Sequence, residues 1–298
     1  MNQDQILKEP NSYWGGVWTK RKLDAFAKYV WSYLTIMKKR TFLKTIYFDG
    51  FAGSGSRNKH KNSELYTQLH LTEEEESVYK GAAERVISLK DNLSFDYYYF
   101  IDMNNKALDE LQKKLNTLPE SKGKKLVFRT GDCNEQLKRL AESLKQNKYA
   151  ALILLDPFGM QISWESIKQL KDTRSDIWIL VPTGVVVNRL LDRKGEITHI
   201  KKLESFFGLT EDEIRNEFYV KSNHQTLFGD QIELVNKVLD PIEKIVNVYI
   251  KQLKTIWDHV MEKPLTLENS KNVTIFHFIF ASNNKNAVRI AKEIIKPV

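Results

Sequence analysis

Four aspartates share one setting. Asp49 ends "KTIYFD", Asp102 ends "YYYFID", Asp132 follows "LVFRTG" and Asp156 follows "ALILL". Each apolar run reads as a buried strand, so each carboxylate arrives at or just past a strand's C-terminal end. Any one of them alone is as well explained by a turn or a helix cap. Four in succession are not. After Asp49 come Gly50, Gly53 and Gly55 in "DGFAGSGSR". Glycines leave the backbone bare, which suits either a tight turn or a closely approaching ligand. In open parallel sheets, ligands bind beyond the carboxyl ends of the strands. The chemistry suits a nucleoside-bearing cofactor. An acid after the second strand can accept from both hydroxyls of a ribose, and Asp132 can accept from an adenine amino group. The glycines do not match the dinucleotide fingerprint, which wants a third glycine to pack a helix whose N-terminus holds a pyrophosphate. Here "GFAGSGSR" runs into a polar excursion from Arg57 to Tyr79.

The elements that must position these residues alternate. A helix is expected from about Thr19 to Arg40, because Leu23, Phe26, Ala27, Val30, Leu34 and Met37 recur at three- and four-residue spacing. Strands are expected at Lys44–Asp49, "DYYYFID", "GKKLVFRTGD", "YAALILLDPFG" and "DIWILVP". Helices are expected at "GAAERVISL", "NKALDELQKKL", "NEQLKRLAESLKQ" and "SWESIKQLKD". That order predicts an α/β chain with a parallel sheet covered on both faces. The unbroken apolar run of the fourth strand agrees. From Asn188 to about His259 the chain reads as mostly helical, including "DQIELVNKVLDPIEKIVNVYIKQLKTIWDHV", with Pro241 breaking or kinking it. "VTIFHFIFAS" then returns as a strand and "NNKNAVRIAKEIIK" as a helix. The organisation is therefore an N-terminal helical segment (1–43), a Rossmann-like domain (44–187 and 260–298) and a helical insertion (188–259).

Composition narrows the partners. The 298 residues carry a formal charge of +8, and eight basic residues against one acidic one lie between Lys20 and Lys44. Such an excess favours phosphate contact, so nucleic acid, DNA or RNA, is an expected partner. No run of about 18 apolar residues suggests a membrane span, and the polar N-terminus does not read as a signal peptide. The single cysteine, Cys133, excludes a disulfide framework within the chain, and a cytoplasmic setting is expected. The six histidines are scattered without a His-x-x-x-His pair, so no metal site is expected. Trp164 and Trp178 read as core. Tyr13, Trp14 and Trp18 are placed to pack, or to stack on a base or cofactor.

"DGFAGSGS", with Asp102 and Asp132 in their places, resembles the motifs of class I S-adenosylmethionine-dependent methyltransferases. The chain is closer to the three-Cys-motif partner proteins (TcmP). The segments that carry this are "WTKRKLDAFAKYVWSYLTIMKKR", "YFDGFAGSGS", "YYYFID", "GDCNE", "LLDPFGMQISWESIKQL", "DIWILVPTGVVVNRLL" and "TIFHFIFASNNKNAVRIAKEI". They cover most of the chain, and "LDPFGMQ" followed by Trp164 is the most specific. The resemblance implies a mostly parallel seven-stranded sheet with one antiparallel strand and a mainly helical insertion. It implies S-adenosyl-L-methionine as cofactor, contacted by Asp49, Phe51, Ala52, Gly53, Gly55, Asp102, Met103, Asp132 and Cys133. It also implies a separate three-cysteine-motif protein as partner. "DPFG" is similar to the Asp/Asn-Pro-Pro-Tyr/Phe loop of amino-group methyltransferases, in which the polar side chain holds an exocyclic amine and the aromatic ring stacks on the base. On that pattern Asp156, Pro157 and Phe158 are catalytic. The chain departs from it in having one proline and a glycine after the aromatic.

Three functions stay open at this level. One is a methyltransferase acting on an amine of a nucleic-acid base. Another is a non-catalytic or regulatory module that keeps the fold and binds a partner. The third, a nicotinamide oxidoreductase, is disfavoured by the glycine pattern.

Overall fold

The computed structural model describes residues 16–53, 81–90, 92–157, 159–225, 231–269 and 271–296. Gly55, Phe158, Tyr13, Trp14 and the 57–79 excursion lie outside them, and Trp18 is described only in its backbone.

The first helix, α1, runs Gly16–Met37 and is followed by strand β1, Lys44–Asp49. Then come α2 (Gly81–Ile87), β2 (Tyr97–Asp102), α3 (Asn105–Asn116), β3 (Leu126–Thr130), α4 (Cys133–Leu144) and β4 (Tyr149–Leu155). The short α5 (Trp164–Lys168) leads to β5 (Ser175–Val181). After a π-helical turn, Thr183–Val187, the chain forms α6 (Ile200–Phe207), α7 (Glu211–Phe218), a hairpin of β6 (Tyr219–Gln225) and β7 (Gln231–Lys237), and α8 (Pro241–Leu253). It closes with β8 (His259–Val260), β9 (Leu265–Glu268), β10 (Thr274–Ser282) and α9 (Lys285–Ile295).

One sheet carries the fold, in the order β3-β2-β1-β4-β5-β10-β8, with β9 also paired to β10. β1 to β5 pair with one another in parallel. The pairings of β10 with β5, β8 and β9 are antiparallel. The sheet therefore has eight strands and not the seven expected. The reason is length. β10 has nine residues, and β8 meets only Ala281 and Ser282 of it, so β9 pairs with the other end of the same edge. The order reverses between β1 and β4, which places the switch point there.

Both faces of the sheet are buried, as the apolar run of β4 implies. Ala151, Ile153 and Leu155 join one hydrophobic cluster, and Leu152 and Leu154 join the other. Trp164 and Trp178 are both core. The expected helical reading of "DQIELVNKV" differs from the structure, in which 231–237 is a strand. Its partner Tyr219–Gln225 pairs with it residue for residue, and hairpin pairing overrides a helical spacing this short. Pro241 begins α8, where its missing N–H costs nothing.

Helix α1 packs on α9 and α2 across one face of the sheet. Its stripe Leu23, Phe26, Val30 and Leu34 is buried as expected. So is Lys22, at 1% exposure, which the apolar spacing does not explain and the site does.

Candidate functional site

The four aspartates end up along one edge. In spatial order Asp132, Asp102, Asp49 and Asp156 follow β3, β2, β1 and β4, the last two flanking the switch point.

The glycine loop continues the sheet before leaving it. Gly50 N–H donates to Leu154 O (3.0 Å) and Ala52 N–H to Ile101 O (2.9 Å). A side chain at Gly50 would strike Cys133 Sγ at 2.5 Å and Leu155 Cδ2 at 2.8 Å. The Cys133 thiol is therefore core filling, and burial pushes its pKa well up. Only its backbone is left to face a ligand. Ala52 is buried, and Phe51 is half-buried with its N–H on Asp49 Oδ1 at 3.3 Å.

Gly53 meets Asp102 directly. Its N–H donates to Asp102 Oδ2 (2.9 Å), and Asn104 N–H donates to Oδ1 (2.7 Å). A Cβ on Gly53 would collide with that carboxylate. Each oxygen holds one backbone donor and keeps a lone pair, which leaves room for two hydroxyl donors. Met103, next in line, is 74% exposed. Asp132 caps α4, its Oδ1 accepting from Asn134 N–H (2.9 Å) and Nδ2 (3.0 Å). No described residue donates to its Oδ2. The cap explains why an aspartate stands there, and the second oxygen can still serve a ligand amine. The residues present thus fit a ribose and an adenine side by side.

At the switch point the charges are buried. Lys22 Nζ donates to Asp156 Oδ2 at 2.6 Å, with both side chains almost fully enclosed. Desolvation lowers the Lys22 pKa, against the pull of Asp156. Asp49 accepts from Tyr47 Oη (3.0 Å). Burial pushes the Asp49 pKa up to about 7, although the Tyr47 and Phe51 bonds oppose this. Pro157 is buried behind Asp156. Asn134 steadies the chain beyond it, donating to Gln161 O and accepting from Ser163 N–H, both at 2.9 Å. At the end of β5, Thr183 Oγ1 meets His277 Nδ1 at 2.7 Å, and burial holds the His277 pKa down to about 4, so the ring is neutral.

Lys22 is the residue that sequence reasoning missed. The signal was present, because Lys22 shares a helical face with Phe26, Tyr29 and Tyr33, all buried. A lysine on an apolar stripe needs a buried partner.

Asp49 gives a pH test. The unfolded chain ionises this carboxylate in the ordinary aspartate range, whereas the folded chain holds the proton up to about pH 7. Between those values only the unfolded state releases it, so stability falls as pH rises through that window. Asp49→Asn should flatten the fall in Tm between about pH 4 and pH 8. An unchanged slope would contradict a buried, protonated Asp49.

No protein-family model and no curated protein matches the chain. Among solved structures, a Legionella pneumophila protein of the family model DUF519 is similar at 13% identity, covering 88% of this chain and 97% of that one, with a TM-score of 0.37. A SAM-dependent methyltransferase from Methanosarcina mazei is similar at 11% identity, covering 80% and 91%, with a TM-score of 0.29. At these scores neither likeness adds to the strand order itself. Among the described residues no helix is long and apolar enough to cross a membrane.

Proposed function

We propose that the chain is an S-adenosylmethionine-dependent methyltransferase acting on an exocyclic amine of a nucleic-acid base. The observation that carries the reading is the Gly53–Asp102 contact. It sets a bare backbone against a partly exposed carboxylate with two open lone pairs, one strand from the switch point. Asp102 takes the ribose hydroxyls, Asp132 Oδ2 the adenine amine, and Met103 covers the ring. The cofactor, when bound, supplies an electrophilic methyl group. Asp156 accepts an N–H of the substrate amine and so orients its nitrogen, which makes positioning the main contribution. Phe158 stacks on the base, as the resemblance implies. Exposed cations on neighbouring helices suit a phosphate backbone: Arg21 and Lys28 on α1 and Lys38 just after it, with Lys285, Arg289 and Lys292 on α9.

A second reading has its own support. The Lys22 ammonium already donates to Asp156, where the substrate amine would bind. A chain that kept this pair closed would bind cofactor without transferring methyl groups, as a partner or regulator of a three-cysteine-motif protein.

Calorimetry with S-adenosylhomocysteine tests the cofactor, and absence of binding removes the leading reading. Labelled methyl transfer to cellular RNA and DNA fractions tests the acceptor. Incorporation that disappears in Asp102→Ala, which leaves the buried Lys22–Asp156 pair intact, supports the enzyme. Cofactor binding with no accepting fraction favours the partner.

A further inference from the structure

A cavity of about 510 Å³ opens at the amino edge of the sheet, opposite the four aspartates. It lies between the C-terminal half of α1 and the start of α9. Tyr29, Tyr33 and Met37 line it from α1 and Ile290 from α9, with Asp176 of β5 in its wall and Arg40 and Arg174 also lining it. Asp176 is held in place, accepting from Tyr29 Oη (2.6 Å) and from Ser282 Oγ. Those bonds use one acceptor direction on each oxygen, and the residue is still partly accessible. Tyr33 is 7% exposed, and its hydroxyl has no hydrogen-bond partner among the described residues. The proposed methyl-transfer chemistry uses none of these groups.

Two tyrosines, a fixed carboxylate acceptor and two arginines make a site that is aromatic in the wall, accepting at one point and cationic at others. The matching ligand is flat, carries an amine at one end and an anion at the other. We infer that this cavity binds a nucleotide whose base bears an exocyclic amine, with the amine on Asp176 and the phosphate toward Arg40 and Arg174. The nucleotide is either free or the end of a single strand, since both present the same groups. A carboxylate accepting from the cytosine amine is established recognition chemistry, and an aromatic wall suits any base face. Uracil offers no amine and should bind poorly.

The test uses the full chain with cytidine 5′-monophosphate, which lacks the adenine of the proposed cofactor. Calorimetry should show saturable binding, with uridine 5′-monophosphate weaker by about tenfold or more, as expected for one lost charge-assisted hydrogen bond. Arg40→Glu, at an exposed position, should weaken binding by about tenfold, and Ile290→Trp should fill the cavity and abolish it. A 5′-phosphorylated cytidine tetranucleotide that binds more tightly, with steeper salt dependence, identifies a strand end as the ligand, and equal affinity identifies the free nucleotide. Lack of saturable binding overturns the inference. So does binding that survives Ile290→Trp. Because this cavity is on the far edge from Asp102, failure here leaves the methyltransferase reading intact, and the converse also holds.

Discussion

Replacing Lys22 with methionine should destabilise the protein by about 3–5 kcal/mol, the usual cost of removing one partner from a buried ion pair. Methionine keeps much of the stem's volume, so the loss isolates the charge. The pair is short, at 2.6 Å, and the side chains are 1% and 6% exposed. Water therefore cannot reach in to compensate Asp156. The double variant Lys22→Met/Asp156→Asn removes both charges and should recover most of the stability. Urea unfolding of the two variants beside the native protein gives the comparison. A single variant within about 1 kcal/mol of the native protein would place Lys22 at the surface, contrary to the structure. The same pair bears on function. If a substrate amine has to take the place of Lys22 Nζ on Asp156, the double variant should fold and still transfer methyl groups, because an amide oxygen at that position also accepts an amine N–H.

The second large effect is expected at Gly53. Valine there has to displace the Asp102 carboxylate, because a Cβ alone already collides with it. The Gly53 N–H bond to Oδ2 would be lost with it. Affinity for S-adenosylhomocysteine should fall by about a hundredfold or more, the loss of two charge-assisted hydrogen bonds to the ribose. The melting temperature should move little, since Gly53 is at the sheet's edge and outside the core clusters. Asp102→Ala should reproduce the loss of affinity without the steric clash. Retained affinity in both variants would separate Asp102 from the cofactor.

Much of the sheet was legible, for a simple reason. β1 and β4 are buried on both faces and β2 is buried on one and half-buried on the other, and long apolar runs with polar ends have few other uses. The carboxylates at their ends could be placed by the same logic, without knowing any contact. The eighth strand could not. β8 has two residues and β9 four, too short for any period to show, and both exist only because β10 offers a long edge. The β6–β7 hairpin was hidden because "QIELVNK" also carries helical spacing, and only its partner decides. Asp132 was read as an adenine ligand, and its Oδ1 proves to cap α4. Cys133 was grouped with the cofactor residues, but its side chain faces Gly50 and the core. Lys22 was counted with the basic cluster of α1. Charge counts treat every lysine as solvated, so the one lysine that is buried disappears into the total.

Helix α1 has a consequence for how the chain is made. It leaves the ribosome before its partners, which come from far along the chain: Asp156 after β4, Asp176 on β5 and the packing face of α9. β10, which inserts between β5 and β8, also emerges well after β5. Until residues near 295 emerge, α1 has no complete surface to lie on, and β5 has an open edge. The helix thus waits for partners made long after it, and the nascent chain carries an exposed apolar stripe until α9 has emerged.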